Sequence, residues 1–434
     1  MQIQKIDRAS LATLQTELLK RDPNSYSQYT AAVKEIVEDV KNRRDAALFA
    51  YTAKFDHAFL SADSVRITEQ EKEEAMRAVG PELIRVMKRS MENIRAYHER
   101  QLQQSWFTTR EDGVLLGQKV MPLDSVGVYV PGGKAAYPST VLMNIVPARV
   151  AGVRKIVMVT PPGRDGKVNP VTLAAAQLAG VTEAYKVGGA QAIAALAFGT
   201  ESIPKVAKIV GPGNIFVALA KKEVFGYVSI DSIAGPSEIM VAADGTANAR
   251  YVAADLLSQA EHDELACAIL VTDSEELARK VNAEIDGFLP QLSRREIIEK
   301  SLKNYGHILV ASDREEMFDI VNSIAPEHLE IQTANPLEDM ARVKNAGAIF
   351  LGPYSSEPLG DYFAGPNHVL PTNGTAKFFS PLGVDAFIKR SSVIYYSKEA
   401  LEKVHEDIEL FARSESLTAH ANSIHVRFDG RDAD

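Results

Sequence analysis

The sequence predicts an α/β protein with two parallel-sheet domains, flanked by helical N-terminal and C-terminal segments. Three observations predict it. After Val126, short apolar runs ending in Gly or Pro (SVGVYVPGG, KIVMVTPPG, EAYKVGG, AKIVGPGN) alternate with Ala-rich helical stretches, the rhythm of strands buried on both faces. From Glu238 a second series begins, in which EIMVAAD, ACAILVT, HILVA and AIFLG are separated by helices such as NARYVAADLLSQ and EELARKVNAEI. At 434 residues the chain exceeds one comfortable core, so several domains are expected. The expected division is 1–125, a helical region and hairpin packing partly on the second α/β domain; 126–236, the first α/β domain; 237–380, the second; and 381–434, a helical arm.

The elements follow in order. From Ser10 to Arg100 apolar residues recur three and four apart, as in LATLQTELL and YTAAVKEIVEDV, which is a helical period. Thr68 and Glu71 form a capping-box pattern that opens a charged helix running toward Tyr97. The charge runs here read as solvated helix faces. WFTTREDGVLLGQKVMPL changes to alternation, and Asp112-Gly113 marks a hairpin turn. Beyond Pro381 the pattern is mostly helical again, and the closing DGRDAD reads as a frayed tail.

Composition excludes several function classes. With 46% hydrophobic and 24% charged residues the chain reads as an ordinary globular protein rather than a disordered one. A net charge of −9 with dispersed Lys and Arg argues against a nucleic-acid partner. The single cysteine, Cys267, removes any internal disulfide and any Cys-based zinc site. It sits in the apolar run ACAILVT and reads as a core filler. MQIQKIDRAS lacks the apolar core of a signal peptide, and no apolar run approaches the ~18–20 residues of a membrane span. The expected location is the cytoplasm, with no membrane partner.

The chemistry-bearing residues cluster in the second half. Gln259 and His262 are three apart and would share one helix face. Each alone is a weak metal signal, but an Asp and a second His would complete a nitrogen and oxygen set suited to Zn²⁺. Spacing does not choose those partners among nine histidines. Glu327 and His328 place a carboxylate beside an imidazole; as neighbours they diverge, so catalysis requires them to act on different atoms. Asp361 and His368 share a Gly/Pro-rich loop, and Glu415 and His420 stand near the C-terminus. No intact GxGxxG is present. The turns at Pro131-Gly132-Gly133, Gly188-Gly189 and Gly211-Pro212-Gly213-Asn214 are either cofactor loops or tight turns.

Read together and in order, IDSIAGPSE, DLLSQAEHD, APEHLEI, GDYFAGPNHVLPTNGTAKF and SLTAHANSI make the chain resemble histidinol dehydrogenase over nearly its whole length. The resemblance implies two incomplete Rossmann-like α/β domains, which accounts for the missing GxGxxG. It implies one Zn²⁺ per subunit on Gln259, His262, Asp361 and His420, with Ser237, His328, His368 and Glu415 also holding the substrate. Tyr129, Gln191 and Asn214 would contact NAD. It further implies an intertwined homodimer whose C-terminal arm completes the partner's site. The implied reaction takes L-histidinol through L-histidinal to L-histidine while two NAD⁺ are reduced.

On this reading His328, near its ordinary pKa of about 6.5, is the base of the first step. Glu327 activates water in the second, which requires burial to raise its pKa. The competing readings are a dehydrogenase of another small alcohol on the same fold, a zinc hydrolase without nucleotide, and a binding protein with structural metal.

Overall fold

The computed structural model describes residues 1–6, 8–19, 21, 27–132 and 136–430. Residues 20 and 22–26 of the expected helical region, Gly133 of the Pro-Gly-Gly turn and the last four residues of the expected frayed tail lie outside them. Its strands are β1 (Gln2–Lys5), β2 (Trp106–Arg110), β3 (Val114–Pro122), β4 (Ser125–Tyr129), β5 (Lys155–Val159), β6 (Glu183–Tyr185), β7 (Lys208–Val210), β8 (Ser229–Ile230), β9 (Glu238–Ala243), β10 (Cys267–Thr272), β11 (Gly306–Val310), β12 (His328–Gln332), β13 (Ala348–Leu351) and β14 (Ile388–Tyr396). The chain divides into two compact units, Met1–Leu102 with Leu123–Phe387, and Gln103–Pro122 with Ile388–Asp434.

The first unit holds two sheets whose strands all run parallel. The first has the order β6-β5-β4-β7-β8, and the second β1-β11-β10-β9-β12-β13. Leaving β1 aside, both follow the order 3-2-1-4-5 of a doubly wound Rossmann-type half. Such strands are buried on both faces, and β9, β10 and β12 are buried at every position. Each fully buried Val, Leu or Ile contributes about 1.5–3 kcal/mol through area removed from water.

The N-terminal segment divides between the two sheets. β1 pairs with β11, and Leu14 and Leu18 of helix Arg8–Leu19 join the apolar cluster on one face of the second sheet. Helix Ser27–Arg43 instead sends Val33, Val37 and Val40 into the cluster of the first sheet. The capping box forms, with Thr68 Oγ1 accepting the Glu71 N–H and Glu71 returning to the Thr68 N–H. The helix it opens stops at Ala78, however, and a second runs from Pro81 to Glu99. Gly80-Pro81 makes the break: proline lacks the N–H to continue the first helix and occupies the first turn of the next.

The second unit corrects two expectations. The expected helical arm 381–434 contains a nine-residue strand, β14, and the hairpin β2–β3 groups with that arm and not with the N-terminal helices. β14 pairs antiparallel with β3 along its whole length, from Ile388↔Pro122 to Tyr396↔Val114. The reason is visible in IKRSSVIYY, whose β-branched and aromatic residues fit a pleated surface. Gly113 turns the hairpin with φ 83°. Helices Lys398–Glu402, His405–Ser414 and Thr418–His425 complete the unit.

Candidate active site

The second sheet carries Glu327 and His328 at the amino end of β12, beside Glu238 at the amino end of β9. The backbone of Glu238 holds both. Its N–H donates to Glu327 Oε2 at 2.8 Å, and its carbonyl lies 2.8 Å from His328 Nδ1. A carbonyl only accepts, so Nδ1 carries the proton and Nε2 is left as the basic nitrogen of a neutral imidazole. Nε2 is buried without a hydrogen-bond partner among the described residues and stands 3.9 Å from Asp361 Oδ1. The two neighbours thus present different atoms. Arg21 anchors this edge through its buried ion pair with the Glu238 side chain.

Electrostatics separates the pair. Burial pushes the Glu327 carboxyl well above its ordinary range, and the charges of Glu238, Asp361 and Glu357 push the same way; the Glu238 N–H opposes them. Burial lowers His328, outweighing the attraction of the Glu357 carboxylate, so the imidazole is neutral at neutral pH.

Gln259 lies in the last turn of helix Ala249–Ala260, which Asn248 caps by accepting the Arg250 N–H. His262 was expected on the same helix but stands just past its end, in a turn where its N–H meets the Gln259 carbonyl at 3.2 Å. A turn brings the two together as a helical spacing would. Asp361 lies in the π-helical turn Gly360–Ala364, a geometry frequent at functional sites. Gly360 has to be glycine there, since a Cβ would lie 2.7 Å from the Phe350 ring.

His262, Asp361 and Glu357 offer ligand atoms all within 4.8 Å of one another. Gln259 Oε1 is buried with no hydrogen-bond partner among the described residues. An imidazole and two carboxylates gathered together, with an orphaned amide oxygen three residues before the imidazole, suit a divalent cation with oxygen and nitrogen preference. Glu357 is the residue that sequence reading missed. The signal was available in its spacing, four residues before Asp361 across a Pro-Leu-Gly turn.

His368 Nδ1 stands 3.9 Å from Asp361 Oδ1 and beside the backbone of Ser139. Burial, followed by the neighbouring His328 and His262, pushes it down to about 4. Ser237 is half-buried on the loop before β9, where its carbonyl accepts the Cys267 N–H. Gln259, His262, Ser237, Glu327, His328, Asp361 and His368 therefore all belong to the first unit. Glu415 and His420 belong to the second, both exposed, at the end of helix His405–Ser414 and in helix Thr418–His425.

The Gly-rich turns lie at the carboxyl edge of the first sheet. β4 and β7 are adjacent there, and the strand order reverses between them, the place where doubly wound sheets take ligands. Tyr129 ends β4, and its hydroxyl accepts the Gly189 N–H at 3.1 Å. Gly211 follows β7 with φ 112°, and a Cβ there would collide with the Tyr129 carbonyl. Gly188 is packed equally tightly, its missing Cβ lying 2.5 Å from Pro161. Gln191 is buried, and both atoms of its amide lack hydrogen-bond partners among the described residues.

Asn214 has a second duty in the same turn, for its Oδ1 accepts the Phe216 and Val217 N–H groups and caps helix Ile215–Val224. That leaves Nδ2 for a ligand. Beneath the turn, Lys221 donates to the Gly211 carbonyl at 3.0 Å, and Asp231 accepts the Gly211 N–H at 2.8 Å. The two side chains form a buried ion pair that holds the two peptide groups flanking the Gly211 Cα.

The corresponding crevice of the second sheet is filled. At the carboxyl ends of β9 and β12, Asp244 pairs with Arg314 at 2.6 Å and accepts the Ala334 N–H at 2.9 Å. Asp339 accepts from Thr333 at 2.6 Å. The Gly-rich turns thus lie at the carboxyl edge of one sheet, whereas Glu327 and His328 lie at the amino edge of the other.

Cys267 is buried in β10, donates to the Tyr305 carbonyl at 3.2 Å and has its thiol pushed up to about 12 by burial. Such a thiol is inert. Cys267→Ser is expected to keep its activity, and the native protein to resist iodoacetamide at pH 8; a folded but inactive serine variant would give the thiol a chemical role.

The family model described as Histidinol dehydrogenase matches residues 19–428. The histidinol dehydrogenase of Bacillus subtilis (strain 168) is 59% identical over 395 residues, 91% of this chain and 92% of its own length. That of Listeria monocytogenes serotype 4b (strain F2365) is 55% identical over 426 residues, 98% of this chain and 99% of its own. Among solved structures, histidinol dehydrogenase from Elizabethkingia anophelis matches with a TM-score of 0.93 at 37% identity, covering 100% of this chain and 99% of that one. The match runs through both sheets and on into the C-terminal segment, so the chain belongs to the histidinol dehydrogenase family.

Proposed function

We propose that this chain oxidises L-histidinol through L-histidinal to L-histidine, with NAD⁺ as electron acceptor and Zn²⁺ in the site. The observation that carries it is the divided catalytic pair: His328 presents a free basic Nε2, while Glu327 holds a carboxyl raised by burial on the other side of the Glu238 peptide. The balance is RCH₂OH + 2 NAD⁺ + H₂O → RCOO⁻ + 2 NADH + 3 H⁺. Each step needs a base, and the second also needs an activated water.

His328 Nε2 takes the hydroxyl proton as hydride leaves the carbinol carbon. Glu327 takes a proton from the water that adds to the aldehyde, and His328 takes the hydrate's proton in the second hydride transfer. Gln259, His262 and Asp361 would hold the metal, with His420 of the partner subunit as a fourth ligand. Bound zinc would grip the substrate imidazole and amine, orienting the carbinol carbon without redox chemistry of its own. Ser237 and His368, with Glu415, would line the substrate.

Tyr129, Gln191 and Asn214 would contact NAD, which accepts the hydride. The buried Gln191 amide, unpartnered among the described residues, and the Asn214 Nδ2 supply donors, and the glycines at 188 and 211 let a ligand approach the backbone closely. The Lys221–Asp231 pair sets that turn. Asp231→Asn is expected to raise the KM for NAD⁺ on the order of tenfold while leaving the KM for histidinol near its original value. A rise in both together would assign the pair to general stability.

Glu415 and His420 are exposed within one chain beside the exposed Leu410 and Phe411, which supports a homodimer whose arm completes the partner's site. Among the described residues no helix is long and apolar enough to cross a membrane, and the inert thiol suits the cytoplasm. The test is NADH formed per L-histidinol consumed, with zinc and after chelation. Two equivalents that vanish on chelation and return with zinc are expected; one equivalent would make the chain an alcohol dehydrogenase that stops at the aldehyde, and none would favour another alcohol or a hydrolase.

A further inference from the structure

We propose that Glu357 is a carboxylate of the metal centre, supplying the second negative charge to the ion that Gln259, His262 and Asp361 would hold. This rests on the zinc reading above and extends it to a residue outside the expected ligand set. Glu357 is only 2% exposed, in the short helix Glu357–Leu359 that leads into the turn bearing Asp361. Its carboxylate falls in one group with His262 and Asp361, all ligand atoms lying within 4.8 Å.

The placement is built from two sides. Ser258, the neighbour of Gln259 on helix Ala249–Ala260, donates to Glu357 Oε2 at 3.2 Å, and the Glu357 N–H is held by Glu330 Oε1 at 2.9 Å. Glu357 thus joins the element carrying Gln259 and His262 to the one carrying Asp361. The independent sign of a ligand is Gln259 Oε1, on the residue next to Ser258, buried with no hydrogen-bond partner among the described residues.

Charge explains why a carboxylate belongs there. Gln259 and a metal-bound His262 are neutral, and Asp361 contributes one negative charge to a doubly positive ion; the buried Glu357 completes neutrality beside the half-buried Asp361 and the exposed His262. No Lys or Arg among the described residues forms an ion pair with Glu357, and a carboxylate buried to this degree needs a cation near it.

The experiment measures zinc affinity by chelator competition for the full-length wild type, Glu357→Gln and His262→Asn, each checked for folding by circular dichroism. Glu357→Gln is expected to bind zinc about 10–100-fold more weakly, with part of its NADH formation restored by excess zinc. Wild-type affinity in Glu357→Gln alongside weakened binding in His262→Asn would overturn the role of Glu357 and leave the zinc site standing. Wild-type affinity in both would overturn the zinc site itself. If Glu357→Gln fails to fold, Glu357→Asp, which shortens the reach but keeps the charge, is expected to weaken zinc about tenfold, and an unchanged affinity would overturn the proposal.

Discussion

Glu327→Gln is expected to stop the oxidation of histidinal while leaving much of the oxidation of histidinol intact, so that aldehyde accumulates after one NADH. In the proposed mechanism the first step draws on His328 Nε2, whose ring is held by the Glu238 carbonyl. The second needs water made nucleophilic, and a glutamine of the same shape can accept the Glu238 N–H yet cannot take a proton. Because burial raises the folded pKa of Glu327 above its ordinary value, the active carboxylate is lost as pH falls through that raised value. The second step should therefore show an acid limb at a pH above the usual carboxylate range, and that limb should disappear in the glutamine variant. His328→Asn is expected to slow both steps by roughly 10²–10⁴, about 3–5 kcal/mol of barrier. Equal loss of both steps in Glu327→Gln would defeat this division of labour.

Replacing His262 or Asp361 with asparagine is expected to remove tight zinc binding and all NADH formation. Direct ligands should cost more than the roughly 10–100-fold in affinity lost with an outer partner. Metal content after dialysis, measured beside the circular dichroism of each variant, checks it. A variant keeping full zinc and full activity would leave the ligand set. Asp361 has a further role in the geometry, since His328 and His368 both stand 3.9 Å from its Oδ1. Its asparagine variant should therefore also disturb first-step catalysis when zinc is supplied in excess.

Much of this architecture was legible in the chain. Short apolar runs closed by Gly or Pro predict parallel strands because a strand covered on both faces has no solvated side to alternate with. Thr68 and Glu71 predict their capping box because both partners lie within one turn. The hairpin at Asp112-Gly113 is equally local, since the turn needs a positive φ. The long motifs carried Glu327, His328, Asp361 and His368 for the same reason, each in a short stretch with several fixed neighbours.

What failed was decided at a distance. β14 lies in a region that reads as mostly helical, and it is a strand because β3, more than 260 residues earlier, offers its edge. Glu357 stood in none of the motifs singled out in the sequence; the fold covers it to 2% exposure and brings it together with His262 and Asp361. The charge runs around Thr68 gave no hint that Gly80-Pro81 would divide one helix into two.

The sequence by itself determined the fold class and the family, because periodicity and residue type are local properties that burial then rewards. Only the tertiary structure decided the protonation of the catalytic pair. The Glu238 peptide chooses the tautomer of His328, and complete burial raises Glu327 while lowering His328. Hydrogen bonds across strands and removal from water depend on what folding brings together, and neither is written in the neighbours of a residue along the chain.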